Sequence, residues 1–285
     1  MTTASIVTYN HNVLDIEAIL RSLASSPVQR VWIVDHSDTL KSLKQELDNF
    51  MQTVDMIKAA DKGFSLEYIK HKNNGYGGGH NVAIRKALEM GSKYHLVVNP
   101  DVWFGQEVIP ALTDYMDHHP EVGQMMPQVI YLDGSIQKLA KQLPTPFDIF
   151  GRFFLPDFMI RERNSRFELC HSDYKMTLDV PYLSGCFMFF RTEALQNVGL
   201  FDEHFFMYAE DIDMTRRIHA HYQTIFYPTV SIFHKFNRAS HRSLRLFWIH
   251  SVNMLLYFNK WGWWHDAQRD EFNKRVLADI DAQMA

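Results

Sequence analysis

The chain has 285 residues, of which 46% are hydrophobic, and a formal net charge of −4 at pH 7. This length allows one large hydrophobic core or two small ones. The slightly acidic balance excludes the strongly basic field that binds duplex nucleic acid, so we expect no nucleic-acid partner.

The two cysteines, Cys170 and Cys186, form no Cys-x-x-Cys pair. This usage favours a reduced, cytoplasmic protein over a disulfide scaffold. The N-terminus has neither the basic region nor the long apolar segment of a signal peptide. No run is long and apolar enough to predict a membrane-spanning helix. We therefore expect a cytoplasmic location.

Strands and helices alternate through the first hundred residues. Short β-branched or apolar runs predict strands, and apolar residues at helical spacing predict the helices between them. The predicted strands are 4–8, 30–34, 64–69 and 94–98, and the predicted helices are 15–24, 40–50 and 81–90. This alternation predicts a doubly wound α/β half with parallel strands.

Polar residues follow each of these predicted strands. They are Tyr9-Asn10, Asp35, the glycine-rich segment 72–79 and Asn99-Pro100-Asp101. Because the carboxyl ends of parallel strands meet at one edge of a sheet, we expect one cleft there. Such a cleft suits a ligand that combines a base, a ribose and phosphates.

The Asn99-Pro100-Asp101 segment ends the predicted strand 94–98. Proline cannot donate to a ladder, so the strand stops and Asp101 projects from a short loop. A carboxylate in this position suits Mg²⁺ or Mn²⁺ bound to a diphosphate. An ordinary turn aspartate is the alternative, and the neighbouring motifs favour the metal.

The glycine-rich segment resembles a dinucleotide fingerprint only superficially. His80 stands where the third glycine would be, and the segment follows the third strand instead of the first. No Walker lysine-serine follows it, so an ATPase is not expected. A glycine-rich loop at a helix start still lets the backbone approach a nucleotide.

The second half does not continue this regular alternation of strands and helices. The sequence predicts a helix at 106–118, a second helix that follows the segment 207–213 and ends at about His221, and a third at 244–258. The third helix carries Phe247, Trp248, Val252, Leu255 and Leu256 on one face. Predicted strands are 122–131 with a bend at Pro127, one within 178–191 that contains Ser184-Gly185, and short ones at 224–226 and 230–233. The phenylalanine-rich stretch 144–156 receives no assignment.

A second carboxylate cluster is Glu210-Asp211-Ile212-Asp213. At a helix start Asp211 and Asp213 point in different directions, so they do not form a simple paired site. Acidic residues in a first turn are often partners of the helix dipole, which is the alternative. Arg216 and Arg217 are placed to neutralise or orient the cluster.

These motifs together resemble the family 2 inverting glycosyltransferases of GT-A fold, and within them the bacterial rhamnosyltransferase-like group. The resemblance covers nearly the full length, through His234, Asn253 and Lys260. It is carried, in family order, by Ser5–Asn10, Asp35, Asn73–Asn81, Asn99-Pro100-Asp101, Ser184-Gly185 and Glu210–Asp213. It implies a Rossmann-like nucleotide-binding half with a mixed central sheet, an acceptor-binding half and C-terminal helices.

The resemblance also implies residue roles. Asp211 matches the catalytic base, Asp101 and His234 match metal ligands, and Asn99 replaces the first aspartate of the family's metal motif. Residues expected to bind the nucleotide sugar are Thr8, Tyr9, Asn10, Asp35, Asn74, Gly75, Gly77, Asn81, Asn99 and Asp101. Residues expected on the acceptor side are Ser184, Gly185 and Glu210. The cofactor would be Mg²⁺ or Mn²⁺.

The function implied is transfer of L-rhamnose from dTDP-rhamnose to a cell-surface polysaccharide, such as a lipopolysaccharide O-antigen, or to a lipid-linked glycan. Another nucleotide sugar, such as a UDP-sugar, is the nearest alternative. A non-catalytic partner that binds a nucleotide sugar is an alternative of another class. A nucleotidyltransferase would need a phosphate loop near the first strand, and residues 9–14 contain none.

We predict a nucleotide-sugar half at 1–101, an acceptor and catalytic half at 102–240 and a helical extension at 241–285. Arg238, Arg242 and Arg245 precede the aromatic face of the last predicted helix and the Trp261–Trp264 cluster. Basic residues beside aromatics suggest peripheral contact with an anionic membrane. The alternative is a core helix, for which we favour Leu255 and Leu256, or a homodimer face. Phenylalanines 147, 150, 153, 154 and 158 suggest an acceptor groove or the same membrane surface.

Overall fold

The computed structural model describes residues 1–38, 43–235 and 244–285. The described helices are α1 (Val13–Ala24), α2 (Leu43–Met51), α3 (Val54–Asp61), α4 (Gly75–Glu89), α5 (Val108–His118), α6 (Pro146–Phe154), α7 (Asp157–Phe167), α8 (Thr192–Val198), α9 (Glu210–His219), α10 (Leu244–Trp261) and α11 (Ala267–Met284). The strands are β1 (Thr2–Thr8), β2 (Val28–Asp35), β3 (Ser65–Lys70), β4 (Tyr94–Val98), β5 (Val102–Phe104), β6 (Val122–Ile130), β7 (Ala140–Lys141), β8 (Leu178–Asp179), β9 (Tyr182–Leu183), β10 (Phe187–Arg191) and β11 (Gln223–His234).

Nine of the described strands form one mixed sheet in the order β3-β2-β1-β4-β10-β6-β11-β5, with β8 also paired to β11. Strands β3, β2, β1 and β4 are parallel to one another, whereas β10 runs antiparallel to both β4 and β6. Strands β7 and β9 form a separate small sheet. The arrangement confirms the predicted α/β class with a mixed central sheet.

Local sequence explains where the first elements begin and end. Asn12 caps α1 through a capping box with Asp15, which satisfies free N–H groups of the first turn. Strand β4 is buried along its whole length, as expected for a strand in the middle of a covered sheet. The strand ends before Pro100, so Asp101 lies in the turn between β4 and β5.

The two predicted halves share this sheet, because β4 from the first pairs with β10 from the second. Phe187 lies opposite Val98, which places the start of β10 beside the end of β4. The division at residues 101 and 240 stays a prediction.

Several predicted boundaries were wrong. The segment predicted as a glycine loop is the first turn of α4, which begins at Gly75. Ser184 and Gly185 lie between β9 and β10, not inside a strand, and the two short strands near the end are one strand, β11. The unassigned stretch forms α6, with Thr145 as its cap.

The structure corrects our prediction of which residues of α10 are buried. Leu255 and Leu256, which we expected to be buried, are exposed together with Phe247, Trp248 and Val252. The residues that pack inward are Asn253, Met254, Tyr257 and Phe258. Periodicity located the apolar stripe correctly, but the helix is apolar on both faces and buries the other one.

Arg238 and Arg242 lie outside the described residues, as do the side chains of Phe153 and Phe154. Arg245 is described and exposed. Among the helices of the described ranges, none is both long and apolar enough to cross a membrane.

Candidate active site

The end of β2 places Asp35 in a closed polar pocket. Its side chain is 1% exposed and accepts hydrogen bonds from Thr8 at 3.1 Å, the Tyr68 hydroxyl at 2.7 Å and Lys70 at 3.2 Å. Burial acts to raise the pKa of Asp35, but the donors, led by Ser37, outweigh it and hold that pKa below its usual value. The carboxylate is therefore ionised and already saturated by the protein.

Tyr9 and Asn10 follow β1 at the mouth of this pocket. The Tyr9 side chain is 44% exposed, and Asn10 adopts a positive φ of 56°. The backbone N–H of Asn10 donates to Ser37 Oγ at 2.7 Å. Together with Thr8 and Asp35, these residues form one group at the carboxyl ends of β1 and β2.

The start of α4 is built for close packing against the segment 201–206. Gly75 has φ +85°, and a Cβ there would lie 2.2 Å from the Phe206 carbonyl oxygen. A Cβ on Gly77 would lie 2.8 Å from Cβ of Phe201. The missing side chains therefore admit protein backbone and an aromatic ring.

The two predicted asparagine ligands of this helix also face that segment. Asn81 is buried and its amide bonds the Phe201 backbone and Glu203. Asn74 contacts Glu203 at 3.4 Å, and its Oδ1 is buried without a hydrogen-bond partner in the described structure. Asn74 Oδ1 is therefore enclosed by the protein next to Gly78, whereas Asn81 fastens α4 to the loop before α9.

Asp101 and His234 come together although 133 positions apart in sequence. Strand β11 pairs with β5 so that His234 lies opposite Val102, the residue after Asp101. As a result, His234 Nε2 lies 3.3 Å from Asp101 Oδ1. Gln137 binds the other ring nitrogen at 3.0 Å and donates to the His234 carbonyl oxygen at 2.8 Å. Burial acts to lower the pKa of His234, but Cys186 and Asp101 outweigh it and raise that pKa to about 10.

This pair can hold a divalent cation in place of the proton between the two side chains, because a metal binds only a deprotonated imidazole nitrogen. Two adjacent ligands of an octahedral ion at about 2.1 Å lie about 3 Å apart, close to the observed separation. Gln137 orients the ring as an outer-shell partner does. Within the described residues, no group of three His, Cys, Asp or Glu could hold an ion. The protein would therefore supply two ligands, and a diphosphate and water the others.

Asp211 lies in the first turn of α9, facing the loop between β9 and β10. Its Oδ2 accepts the Gly185 N–H at 2.9 Å and its Oδ1 accepts the Ile212 N–H at 2.9 Å. A Cβ on Gly185 would lie 3.1 Å from Cβ of Asp211. The absence of a side chain at 185 is what allows this close approach.

Glu210 and Asp211 are neighbouring buried carboxyls. Glu210 accepts from the Ala209 N–H at 2.9 Å, behind Tyr208, which has a positive φ of 83°. Burial raises the pKa of both carboxyls, and for Glu210 the charge of Asp211 raises it further. A carboxyl with a raised pKa is a stronger base once ionised, which suits proton abstraction.

Asp213 has a different role from Asp211. It is fully buried and is bound by Arg217 at 2.8 Å, Lys260 at 2.7 Å and Trp261 Nε1 at 2.8 Å. Arg216 instead pairs with Asp266 at 2.6 Å. Asp213 therefore joins α9 to α10 structurally, and the predicted divergence of the two aspartates is confirmed.

Tyr76 is a residue that sequence reasoning did not single out. Its hydroxyl donates to the Gly185 carbonyl oxygen at 2.6 Å, so it fixes the same glycine whose N–H binds Asp211. Burial raises the pKa of Tyr76, and the charges of Glu210, Asp211 and Asp101 raise it further. Tyr76 therefore supports the loop that orients Asp211. The sequence signal that could have identified Tyr76 is its place in the Asn-Gly-Tyr-Gly motif. No sequence signal pointed to Gln137.

A family model described as Glycosyl transferase family 2 matches residues 3–199. The chain belongs to this family. The match includes the predicted nucleotide residues, Asn99-Pro100-Asp101 and Ser184-Gly185, and ends before Asp211 and His234. The family predicted from the sequence motifs is confirmed.

Two curated relatives are similar over part of the chain. An N-acetylglucosaminyl-diphospho-decaprenol L-rhamnosyltransferase of Mycobacterium tuberculosis is 30% identical over 177 residues, which are 57% of this chain and 56% of the relative. A low-salt glycan biosynthesis hexosyltransferase, Agl10, of Haloferax volcanii is 28% identical over 149 residues, 51% of this chain and 43% of the relative. The matched region spans about half the length of each relative.

Solved structures share the fold. A mannosyltransferase from Pyrobaculum calidifontis, in complex with GDP-Man and Mn²⁺, superposes with a TM-score of 0.55 at 15% identity and covers 99% of this chain and 75% of its own. GalNAc-T7 with UDP, GalNAc and Mn²⁺ gives a TM-score of 0.59 at 13% identity and covers 83% of this chain and 44% of its own. At these identities the likeness concerns the fold alone.

Proposed function

We propose that the protein is an inverting glycosyltransferase that moves L-rhamnose from dTDP-rhamnose to a hydroxyl of a lipid-linked glycan or cell-surface polysaccharide. The observation that carries the proposal is the Gly185-Cys186 segment: the Gly185 N–H binds the buried Asp211 carboxyl, and the Cys186 carbonyl oxygen accepts the Asn99 N–H of the Asn99-Pro100-Asp101 motif. The choice of rhamnose is supported by the similarity to the mycobacterial rhamnosyltransferase.

Asp211 is assigned the role of base. An acceptor hydroxyl is a weak nucleophile near pH 7, and a carboxylate placed next to it removes the proton as oxygen attacks the anomeric carbon. The Gly185 N–H and Tyr76 hydroxyl keep that carboxylate in one orientation. One base and direct displacement invert the anomeric centre without a covalent sugar–enzyme intermediate.

Asp101 and His234 are assigned to a divalent metal, Mg²⁺ or Mn²⁺, on the donor diphosphate. Such a cation stabilises the negative charge that grows on the leaving group. Gln137 fixes the imidazole so that Nε2 faces Asp101. Asn99 leaves this site with one carboxylate fewer than a two-aspartate motif, and the imidazole completes the pair.

The nucleoside is assigned to the group around Asp35. Tyr9 is exposed at its mouth and offers a ring on which a base can stack. Asp35 acts there through Thr8, Ser37 and Tyr68, because its own oxygens are taken by those donors. Asn74, at the start of α4, is assigned to a ribose or diphosphate contact.

A glycosidase is disfavoured. Hydrolases place two carboxyls on either side of the scissile bond, but Asp213 is enclosed by Arg217, Lys260 and Trp261. Glu210 lies next to Asp211 with its Oε2 on the Ala209 N–H. Only Asp211 of this cluster is oriented by a loop that borders the metal pair.

The donor is tested by a thermal-shift series with dTDP-rhamnose, UDP-sugars and GDP-sugars, each with and without Mn²⁺ or Mg²⁺. A ligand that binds the folded state raises the melting temperature by mass action. We expect a metal-dependent shift with dTDP-rhamnose that Asp101→Asn abolishes and that Asp114→Asn, an exposed control on α5, preserves. A metal-dependent shift with a UDP-sugar alone would reject rhamnose, and no shift at all would favour a non-enzymatic role.

A further inference from the structure

Helix α10 has two apolar faces with different surroundings. Met254, Tyr257 and Phe258 pack against Phe205 and Ile212. The opposite face carries Trp248, Val252, Leu255 and Leu256 at helical spacing, all exposed, with Trp248 at 67%. We call these four residues the outer stripe. Large apolar side chains grouped on one exposed face mark an interaction surface.

The charged residues of α10 itself, Arg245 and Lys260, are both basic. Helix α10 contains no Asp or Glu, and Arg245 lies exposed on the same side of the helix as Trp248 and Val252. In the sequence, positions 235–245 include four Lys or Arg and no acidic residue. An apolar stripe beside basic residues is complementary to a bilayer with anionic headgroups.

A second copy of the chain fits this face less well. In a two-fold symmetric contact the same surface meets itself, so Arg245 would meet a helix that has no carboxylate to pair with it. Burying an unpaired charge is costly. At a bilayer surface the same arginine stays among phosphates and water while the stripe enters the acyl boundary.

The inner face of α10 holds the segment that carries the base. Asn253 Oδ1 accepts the Phe206 N–H at 2.8 Å, and the Tyr208 and His250 rings lie edge to face at 5.4 Å. The outer stripe is therefore separated from the Glu210–Asp211 segment by one helix diameter, about 10 Å. A protein bound through this stripe holds that segment near the headgroup layer.

We propose that the outer stripe of α10, with Arg245, is a monotopic binding surface for an anionic lipid bilayer. The lipid contact itself is independent of the proposed reaction. Its consequence for substrate rests on the proposed function: the acceptor then carries a lipid anchor whose glycan extends from the headgroup layer to Asp211.

The test is co-sedimentation of the full chain with vesicles of phosphatidylcholine containing phosphatidylglycerol, compared with phosphatidylcholine alone. We expect binding to the anionic vesicles at low salt and weaker binding at high salt, since exposed charges are screened. Trp248→Ser with Val252→Ser and Leu256→Ser should weaken binding at least about tenfold. Arg245→Gln should weaken it about fivefold, equivalent to about 1 kcal/mol for one basic residue.

The matched control is Leu14→Ser with Val54→Ser and Ile57→Ser, three exposed apolar residues on α1 and α3, and it should bind like the wild type. Absence of vesicle binding by the wild type, or equal binding by the stripe variant, would overturn the proposal. A solution dimer that the stripe variant dissociates, without vesicle binding, would also overturn it in favour of a second copy. The thermal shift with donor should be the same in the stripe variant, so failure of the proposed reaction is detected separately.

Discussion

Asp35 at the end of β2 and Asp211 at the start of α9 are both buried carboxyls, yet their pKa values are shifted in opposite directions. Five donor groups from Thr8, Ser37, Tyr68 and Lys70 surround Asp35, two of them from Ser37. Those of Ser37, Tyr68 and Lys70 lower the pKa of Asp35 despite burial. Asp211 has two backbone N–H donors and a carboxyl neighbour, and burial raises its pKa. Burial alone does not decide the shift; the number and charge of the partners do.

The comparison assigns different tasks to the two groups. A saturated, ionised carboxylate such as Asp35 stabilises its own surroundings and has little capacity to take a proton. A carboxyl whose charged form is poorly stabilised accepts a proton readily. We therefore assign the pocket at β2 to support of the nucleoside and expect proton transfer at the start of α9.

The largest expected effect comes from Asp211→Asn. The amide keeps the size and an acceptor oxygen for Gly185 but cannot take a proton, so turnover should fall about 10²- to 10⁴-fold. A transfer assay measures the rate, and donor titration by calorimetry should give nearly unchanged affinity. Turnover close to that of the wild type would show that Asp211 is not the base.

Asp35→Asn should lower the stability of the folded protein. Loss of the charge weakens several charge-assisted hydrogen bonds and should lower the free energy of unfolding at pH 7 by about 1–3 kcal/mol. Because the folded-state pKa of Asp35 is lowered, its contribution is present above the unfolded pKa and is lost as the pH falls through the folded value. Urea denaturation at pH 7 and at lower pH should show the difference between variant and wild type shrinking on acidification. If the difference between variant and wild type did not change with pH, the loss of stability would not come from the Asp35 charge.

Glu210→Gln should have the smallest effect on the pH profile. In the wild type the rate should fall on acidification with an inflection above the usual aspartate pKa of about 4, because the raised pKa of Asp211 protonates the base there. Burial raises the pKa of Asp211, whereas the charge of Asp211 raises the pKa of Glu210, so the variant should keep this inflection nearly in place. Initial rates from pH 5 to pH 9 measure it. An inflection that moves by about one pKa unit or more would show that the charge of Glu210 acts on the base.

Much of the first half could be predicted because its signals are local. The apolar runs that became β1, β2 and β4 each end in polar residues, and parallel pairing brings those ends to one edge. The glycine segment was predicted wrongly as a loop, since glycine has low helix propensity. Its helical turn depends on close contact with Phe201 and Phe206, which are distant in sequence.

The second half was less predictable because its site is made of long-range contacts. The sequence indicated Asp101, Asp211 and His234 through family motifs, but not that Gln137 orients His234 or that Tyr76 holds Gly185. Hydrophobic periodicity also could not tell which apolar face of α10 is buried. That choice depends on Phe205 and Ile212, which cover the inner face.

The sequence by itself determined the α/β class, the family and the residue types of the site, because strand periodicity, strand-end polar groups and ordered motifs are properties of neighbouring residues. The tertiary structure alone decided which carboxyl is saturated and which has a raised pKa, and which side of α10 remains exposed. Those outcomes depend on burial and on partners brought together by the fold, and neither is encoded in local spacing.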